Sequence, residues 1–578
     1  MKAFSKPMLL FNSSLLLLLT AVLIRKIDDY DIWYHISLGR EVLGQMRLPG
    51  GEFYIYTLLG EKAVFPEWGF GTIFYAAYEF LGYAGMGLLN AAIGALSIFI
   101  FHRAASEEGR FDLTGLLPLA ALVWSVKYRL VYRPETMLFL ALAFTFYFLE
   151  KFRKTGDPGR AYPIPLIPFL LGMFHPSALF VLAVFGFYLV DFLWSARGKE
   201  DFKPRARKLV LIFLLSVLAS GLNPYGFGQL ILPVKFLQQS EILGIIHEFM
   251  PVLKTGYKVH FLVISAVALV SLLLPTGRKI VYWLLFLSFG YLAFKHVRNL
   301  ALFAFVMYIP VKKGFDFILP HSRKPVMLGL KALGVAALIF VTFSLFGSPS
   351  WGTGPAKNMF PEKSAEFILN ERPPCRIFNF YNMGGYLAWR LYPDYMVSID
   401  GRRYEMDRSM QLFDQVFWGS PGWEETLSRY NAGILVTPAL TGGGELLPII
   451  SLLDRSEEWL LALTEPSGLL FIRRDIAAGL TGFSPMPKNL IWAHVINEAS
   501  GVIAGYPNAR DAYRAMGVSY FNLRDFGMSR EYFRIYLALN PGDREAGRII
   551  NLITGAEMGD IEARRELENL YRESRNLR

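Results

Sequence analysis

The chain predicts a helical membrane protein of many spans, followed by an α/β domain outside the membrane and a small helical tail. Three observations carry that expectation. Of the 578 residues 53% are hydrophobic, with a mean hydropathy of +0.34. Long apolar runs recur up to residue 346 and then stop. Beyond them the composition turns to mixed charge with short strand-like runs. A soluble chain has no use for so many apolar runs of near-bilayer length.

Run length predicts about eleven membrane helices, at 8–24, 84–102, 113–127, 136–150, 163–174, 177–195, 208–222, 259–275, 280–294, 300–311 and 326–347. The apolar start is read as an anchoring first helix, because Arg25 and Lys26 follow it directly and no small-residue cleavage site appears. Lys and Arg in short loops mark the cytoplasmic side. Loops 151–161, 196–208, 276–279 and 312–324, rich in such residues, fall on one face with the N-terminus. Alternation sends 25–83, 127–135, His175, 223–258, 295–299 and everything after about residue 347 to the other face. The charged face is the cytoplasm, so the N-terminus is expected inside and the C-terminal domains outside.

The excess of 59 Lys and Arg over 48 Asp and Glu is therefore mostly topology, and no nucleic-acid partner is expected. A single cysteine, Cys375, excludes an intramolecular disulfide and a thiolate metal cluster.

The polar groups suited to chemistry gather in the outer loops. Asp28, Asp29 and Asp31 stand at the mouth of the first helix, followed by Trp33, Tyr34 and His35 on a short amphipathic helix expected to lie on the bilayer. Such carboxylates bind a hard cation or take a proton from an acceptor, and they equally suit a helix cap at a membrane boundary. Lys127, Arg129, Arg133, Lys295 and Arg298 oppose the charge trend. Holding a lipid phosphate would explain them, as would interfacial snorkelling. His175 reads as a packing or site histidine. The pair His247-Glu248 follows a long loop and can coordinate metal or move protons, and His296 adjoins Arg298.

The first outer loop, Asp29-x-Asp31-x-x-x-His35, then Gly39-Arg40, Pro49, Tyr56-Thr57 and Glu67-Trp68, resembles that of the GT-C glycosyltransferases. The elements Arg133-Pro134, Asn223–Gly226, Gly384–Leu387 and Ile399–Arg402 resemble those of bacterial multi-pass proteins of the same type, so the likeness spans roughly residues 8–475. It implies an enzyme that takes a sugar from a polyprenyl phosphate or diphosphate carrier at the outer leaflet and passes it to an envelope protein, glycan or lipid. Carried over by position, Asp29 and Asp31 would be catalytic, and Arg129, Arg133, His296 and Arg298 would hold the carrier phosphate. His35, His175, His247 and Glu248 would complete the site. A divalent cation, Mg or Mn, would sit at Asp29, Asp31 and Glu248. The chain lacks a clear second acidic pair, for which Glu135 or His247-Glu248 is a loose substitute.

The expected domains are 1–348 in the membrane, 349–480 an outer α/β domain and 481–578 a helical module. Strands are expected at 376–380, 396–399, 433–436 and 469–472. Ser398–Arg403 ends a strand either as a ligand site or as a salt-bridged turn. Gly384-Gly385 gives close backbone approach or a helix start, and Gly442–Gly444 a flexible turn. In the tail, Ala512, Tyr513, Met516-Gly517, Tyr520-Phe521, Phe526, Ser529, Tyr532-Phe533, Leu537 and Asn540-Pro541 fit one tetratricopeptide-like unit, capped by flanking helices and suited to docking a protein partner. A reading from another class keeps this fold without chemistry, as an assembly scaffold. A transporter lacks the internal repeat and mid-membrane charges it would need.

Overall fold

The computed structural model describes residues 6–106, 113–198, 202–237, 247–319, 324–402 and 408–575. The chain divides into two compact units, one of Met1–Leu48 and Val64–Ala356, the other of Pro49–Ala63 and Lys357–Arg578.

The first unit is helical: α1 (Lys6–Leu23), α2 (Asp31–Gln45), α3 (Trp68–Ala105), α4 (Leu116–Val126), α5 (Glu135–Thr155), α6 (Leu166–Phe174), α7 (Ala178–Ser195), α8 (Phe202–Ser220), α9 (Gly228–Leu237), α10 (Lys258–Leu273), α11 (Ile280–Lys295), α12 (Leu300–Ile318) and α13 (Lys324–Phe346). Every one of the expected membrane segments is helical. Among the described residues, only α3, α7 and α13 are both long and apolar enough to cross a bilayer. The eleven residues of α4 span about 17 Å at 1.5 Å per residue, short of a hydrocarbon core of about 30 Å. The break at His175-Pro176-Ser177 between α6 and α7 falls where the sequence separates the two runs. On α13, Leu328, Phe340 and Phe343 are exposed, as lipid contact requires.

Two helices depart from expectation. α2 is not laid on a surface: Ile32, Trp33 and Ile36 are wholly buried. A Cβ at Gly39 would lie 2.1 Å from the Gly71 carbonyl, so only glycine lets α2 cross the start of α3 this closely. The expected 84–102 helix is the second half of α3, which bends at Leu81-Gly82, where Gly82 takes φ +58°.

The second unit contains α14 (Glu362–Glu371), β1 (Arg376–Asn379), α15 (Gly384–Leu391), α16 (Arg408–Phe417), α17 (Trp423–Arg429), β2 (Ala432–Thr437), α18 (Pro448–Arg455), β3 (Trp459–Glu465) and β4 (Gly468–Arg473). The sheet runs β1-β2-β4-β3; β1 and β2 are parallel, the other pairs antiparallel. The expected strand at 396–399 is not in it. Its Val397 bridges Ile55 of the loop between α2 and α3 instead, which is why Pro49–Ala63 belongs to this unit. β3 was not expected.

The tail adds α19 (Asn489–Gly505), α20 (Arg510–Asn522), α21 (Phe526–Leu539), α22 (Arg544–Glu557) and α23 (Ile561–Arg575). Ile491, Trp492, Val495 and Met516 share one apolar core with Trp459, Leu461 and Phe471, so the first tail helices continue the α/β core. α20 and α21 meet where Gly517 lets the Phe533 ring approach to 3.0 Å of a Cβ position, and Ser529 Oγ donates to the Gly517 carbonyl.

Candidate functional site

The turn after α1, the turns before α5 and α12 and the short turn at 247–249 bring seven charged groups of the first unit together. Asp29 Oδ1 accepts the Asp31 backbone N–H at 2.9 Å, ordering the start of α2. Asp29 Oδ2 accepts Nε–H of Arg133 at 2.5 Å. Arg133, fixed just ahead of Pro134 at the entrance to α5, also donates to Glu248 Oε1 at 2.7 Å and lies 3.5 Å from Asp31 Oδ2. Glu248 Oε1 is 3.1 Å from Arg129 Nη1, and Arg129 pairs in turn with Glu135. Arg298 approaches Glu135 only to 3.9 Å and covers the Phe249 ring at 4.9 Å.

Exposure sorts these groups. Arg129, Asp29 and Glu135 are buried, whereas the side chains of Arg133, Glu248, Arg298 and Asp31 keep 24%, 31%, 28% and 34% of their surface. Burial works against the Glu248 carboxylate, but Arg129 and Arg133 overcome it and pull its pKa down to about 2. Burial likewise opposes the Arg133 charge, and Asp29, Asp31 and Glu248 drive its pKa up instead. Arg298 goes the other way: burial and the repulsion of Arg129 and Arg133 outweigh Glu135 and Glu248, so its pKa falls. It is the least compensated cation of the group, and a bound anion would relieve it.

Beside this cluster, Glu67 at the start of α3 stands between two imidazoles, 3.7 Å from His35 Nε2 and 3.9 Å from His175 Nε2. Burial holds His175 neutral, with its pKa lowered to about 4; Glu135 opposes the shift, and the repulsion of Arg298 and Arg129 adds to it. The unfolded chain takes up a proton at this residue below its ordinary 6.5 and the folded chain resists until about 4. The stability His175 contributes is complete above pH 6.5 and lost as pH falls to 4, about 3 kcal/mol in all. Unfolding of the full chain in detergent across that window should show this loss, and His175→Phe should remove it.

Other expected site residues have structural partners. His296 Nδ1 bonds the Phe249 carbonyl at 2.7 Å, holding the turn that carries Arg298. Lys127 sits over the Trp124 ring at 3.3 Å, as a snorkelling residue does. Asn223 closes its own turn by accepting from Tyr225 N–H, and the Tyr225 hydroxyl accepts the Phe65 N–H, tying that motif to the entrance of α3. The side chain of His247 and residue Arg403 lie outside the described residues.

In the second unit the salt-bridged turn prevails at Asp400-Gly401-Arg402. Arg402 forks between Asp400 at 2.7 Å and Glu52 at 3.0 Å, stacks over Tyr54 at 4.3 Å, and Tyr54 donates to Asp400 at 2.5 Å. Gly384 opens α15, and a Cβ there would meet the Ile399 carbonyl at 1.8 Å.

Asp29, Asp31 and Glu248, the residues expected to hold a cation, do meet, but they meet around the Arg133 guanidinium. Among the described residues no three His, Cys, Asp or Glu are placed to hold a metal ion. Glu67 is the site group that the sequence did not single out for a role. Its one signal was its place at the start of a helix in the first loop.

No family model matches the chain, and no curated protein matches it. Among solved structures it is similar to the oligosaccharyltransferase of Archaeoglobus fulgidus, solved in complex with Zn and sulfate. The TM-score is 0.53 at 12% identity, covering 84% of this chain and 76% of that one. It also matches ArnT of Cupriavidus metallidurans in the apo state, with TM-score 0.48 and 12% identity over 80% of this chain and 97% of that one. At such identity the first likeness shows the fold: it is GT-C-like.

Proposed function

We propose that this chain is a membrane glycosyltransferase that moves a sugar from a polyprenyl phosphate or diphosphate carrier to an envelope protein, glycan or lipid at the outer face of the cytoplasmic membrane. The observation that carries the reading is the convergence of Asp29, Asp31, Arg133, Glu248 and the under-compensated Arg298 in one cluster of a GT-C-like fold. Asp31, the most exposed carboxylate there, takes the proton of the acceptor as the acceptor oxygen attacks the anomeric carbon. The bond from that carbon to the phosphate oxygen breaks, its electron pair leaves with the carrier phosphate, and Arg298 holds the departing charge. Asp29 fixes Arg133, and Arg129 with Glu135 forms the buried floor. The tail helices are the surface proposed to dock a protein partner.

Mass spectrometry of envelope proteins, glycans and lipids from cells lacking the chain tests this. A sugar modification should vanish, and return with the native chain but not with Asp31→Asn at equal protein level. Restoration by Asp31→Asn would replace the transferase with a scaffold of the same fold.

A further inference from the structure

We infer that Arg133 is a built-in cation, occupying the point where Asp29, Asp31 and Glu248 converge, and that the site works without a divalent metal. Three carboxylates from separate segments of the chain, the turn after α1, the start of α2 and the short turn at 247–249, surround one guanidinium. Three converging carboxylates are what a hard cation asks of a protein. Here its charge is already answered. Both oxygens of Asp29 are engaged, one by Arg133 and one by the Asp31 N–H, and Glu248 Oε1 is shared by Arg133 and Arg129.

Geometry separates a guanidinium from a metal ion. Oxygen ligands stand about 2.1–2.5 Å from a bound Mg or Ca and all point at one centre. In this site the oxygens lie 2.5, 2.7 and 3.5 Å from three different nitrogens of a planar fork. A divalent ion at the same point would face Arg133, with Arg129 immediately behind it, in a partly buried site where like charges repel strongly. The carboxylates can thus hold Arg133 or a metal, not both. The inference rests on the transferase reading only for its catalytic consequence, that transfer survives EDTA.

The test reads binding without substrate, so it is independent of that reading. Full-length protein in lipid nanodiscs is stripped with EDTA, dialysed and titrated with Mn(II), and the free-ion EPR signal is recorded. The native chain should leave the signal unchanged up to millimolar Mn(II). Arg133→Gln should remove about one equivalent of it, and the further changes Asp29→Asn and Asp31→Asn should abolish that binding. Uptake by the native chain that Asp29→Asn eliminates would overturn the inference. So would an absence of uptake by a folded Arg133→Gln, because the carboxylates would then form no cation pocket. Should Arg133→Gln not fold, the native chain decides through its thermal midpoint: no shift with millimolar Mg(II) or Mn(II) supports the inference, and a rise that Asp29→Asn cancels overturns it.

Discussion

Arg298→Ala is expected to cut sugar transfer about 10²–10³-fold, with the loss mainly in kcat. Among the three site arginines, Arg129 is bound by Glu135 and Glu248, and Arg133 by Asp29, Asp31 and Glu248. Arg298 has its nearest paired carboxylate, Glu135, at 3.9 Å, feels Glu248 at longer range, and covers the face of Phe249. A half-buried cation so poorly neutralised gains most when negative charge develops on a leaving phosphate, which is how a transition state is favoured over a ground state. Arg298→Lys keeps the charge and loses the fork, so it should recover part of the rate. Turnover and unfolding measured on the same preparations check this; a variant that loses stability but not kcat would assign Arg298 to packing.

The largest stability effect is expected at Arg402. Arg402→Met leaves Asp400, which is fully buried, and Glu52, nearly so, without their cation. Breaking a buried ion pair from one side costs about 3–5 kcal/mol, because the desolvation of the remaining charge is no longer offset. The stacked Tyr54 ring would lose its cation as well. The combined change Glu52→Gln, Asp400→Asn and Arg402→Met should regain much of the loss, since no charge is then left buried. Chemical unfolding followed by near-UV signals of the second unit measures both. A loss below about 1 kcal/mol for Arg402→Met would mean that water reaches the network.

Legibility in the sequence followed the range of each interaction. Apolar runs located every expected helix of the first unit, because hydropathy is local. They could not reveal that Gly39 and Gly71 let α2 sink against α3. The run at 396–399 reads like a strand, yet its backbone bonds Tyr54 and Tyr56, more than three hundred residues away. β3 escaped notice because Trp459, Leu461 and Glu465 are its inward residues and the alternation ends on a carboxylate that caps α14 through Lys363 and Ser364. At the site, cations standing against the charge trend singled out Arg129, Arg133 and Arg298. Their pairing with Asp29, Glu135 and Glu248 is tertiary, and nothing in spacing encodes it.

The central claim, that the cluster around Arg133 and Arg298 transfers a sugar, is tested most directly on reconstituted protein. Lipids extracted from cells lacking the chain contain the unused donor. Incorporated into vesicles with the purified chain and an envelope extract from the same cells, they should yield free polyprenyl phosphate or diphosphate by mass spectrometry, together with acceptor heavier by one sugar. The chain carrying Asp31→Asn should yield neither. Equal release by both chains, or none by the native chain, would contradict the account.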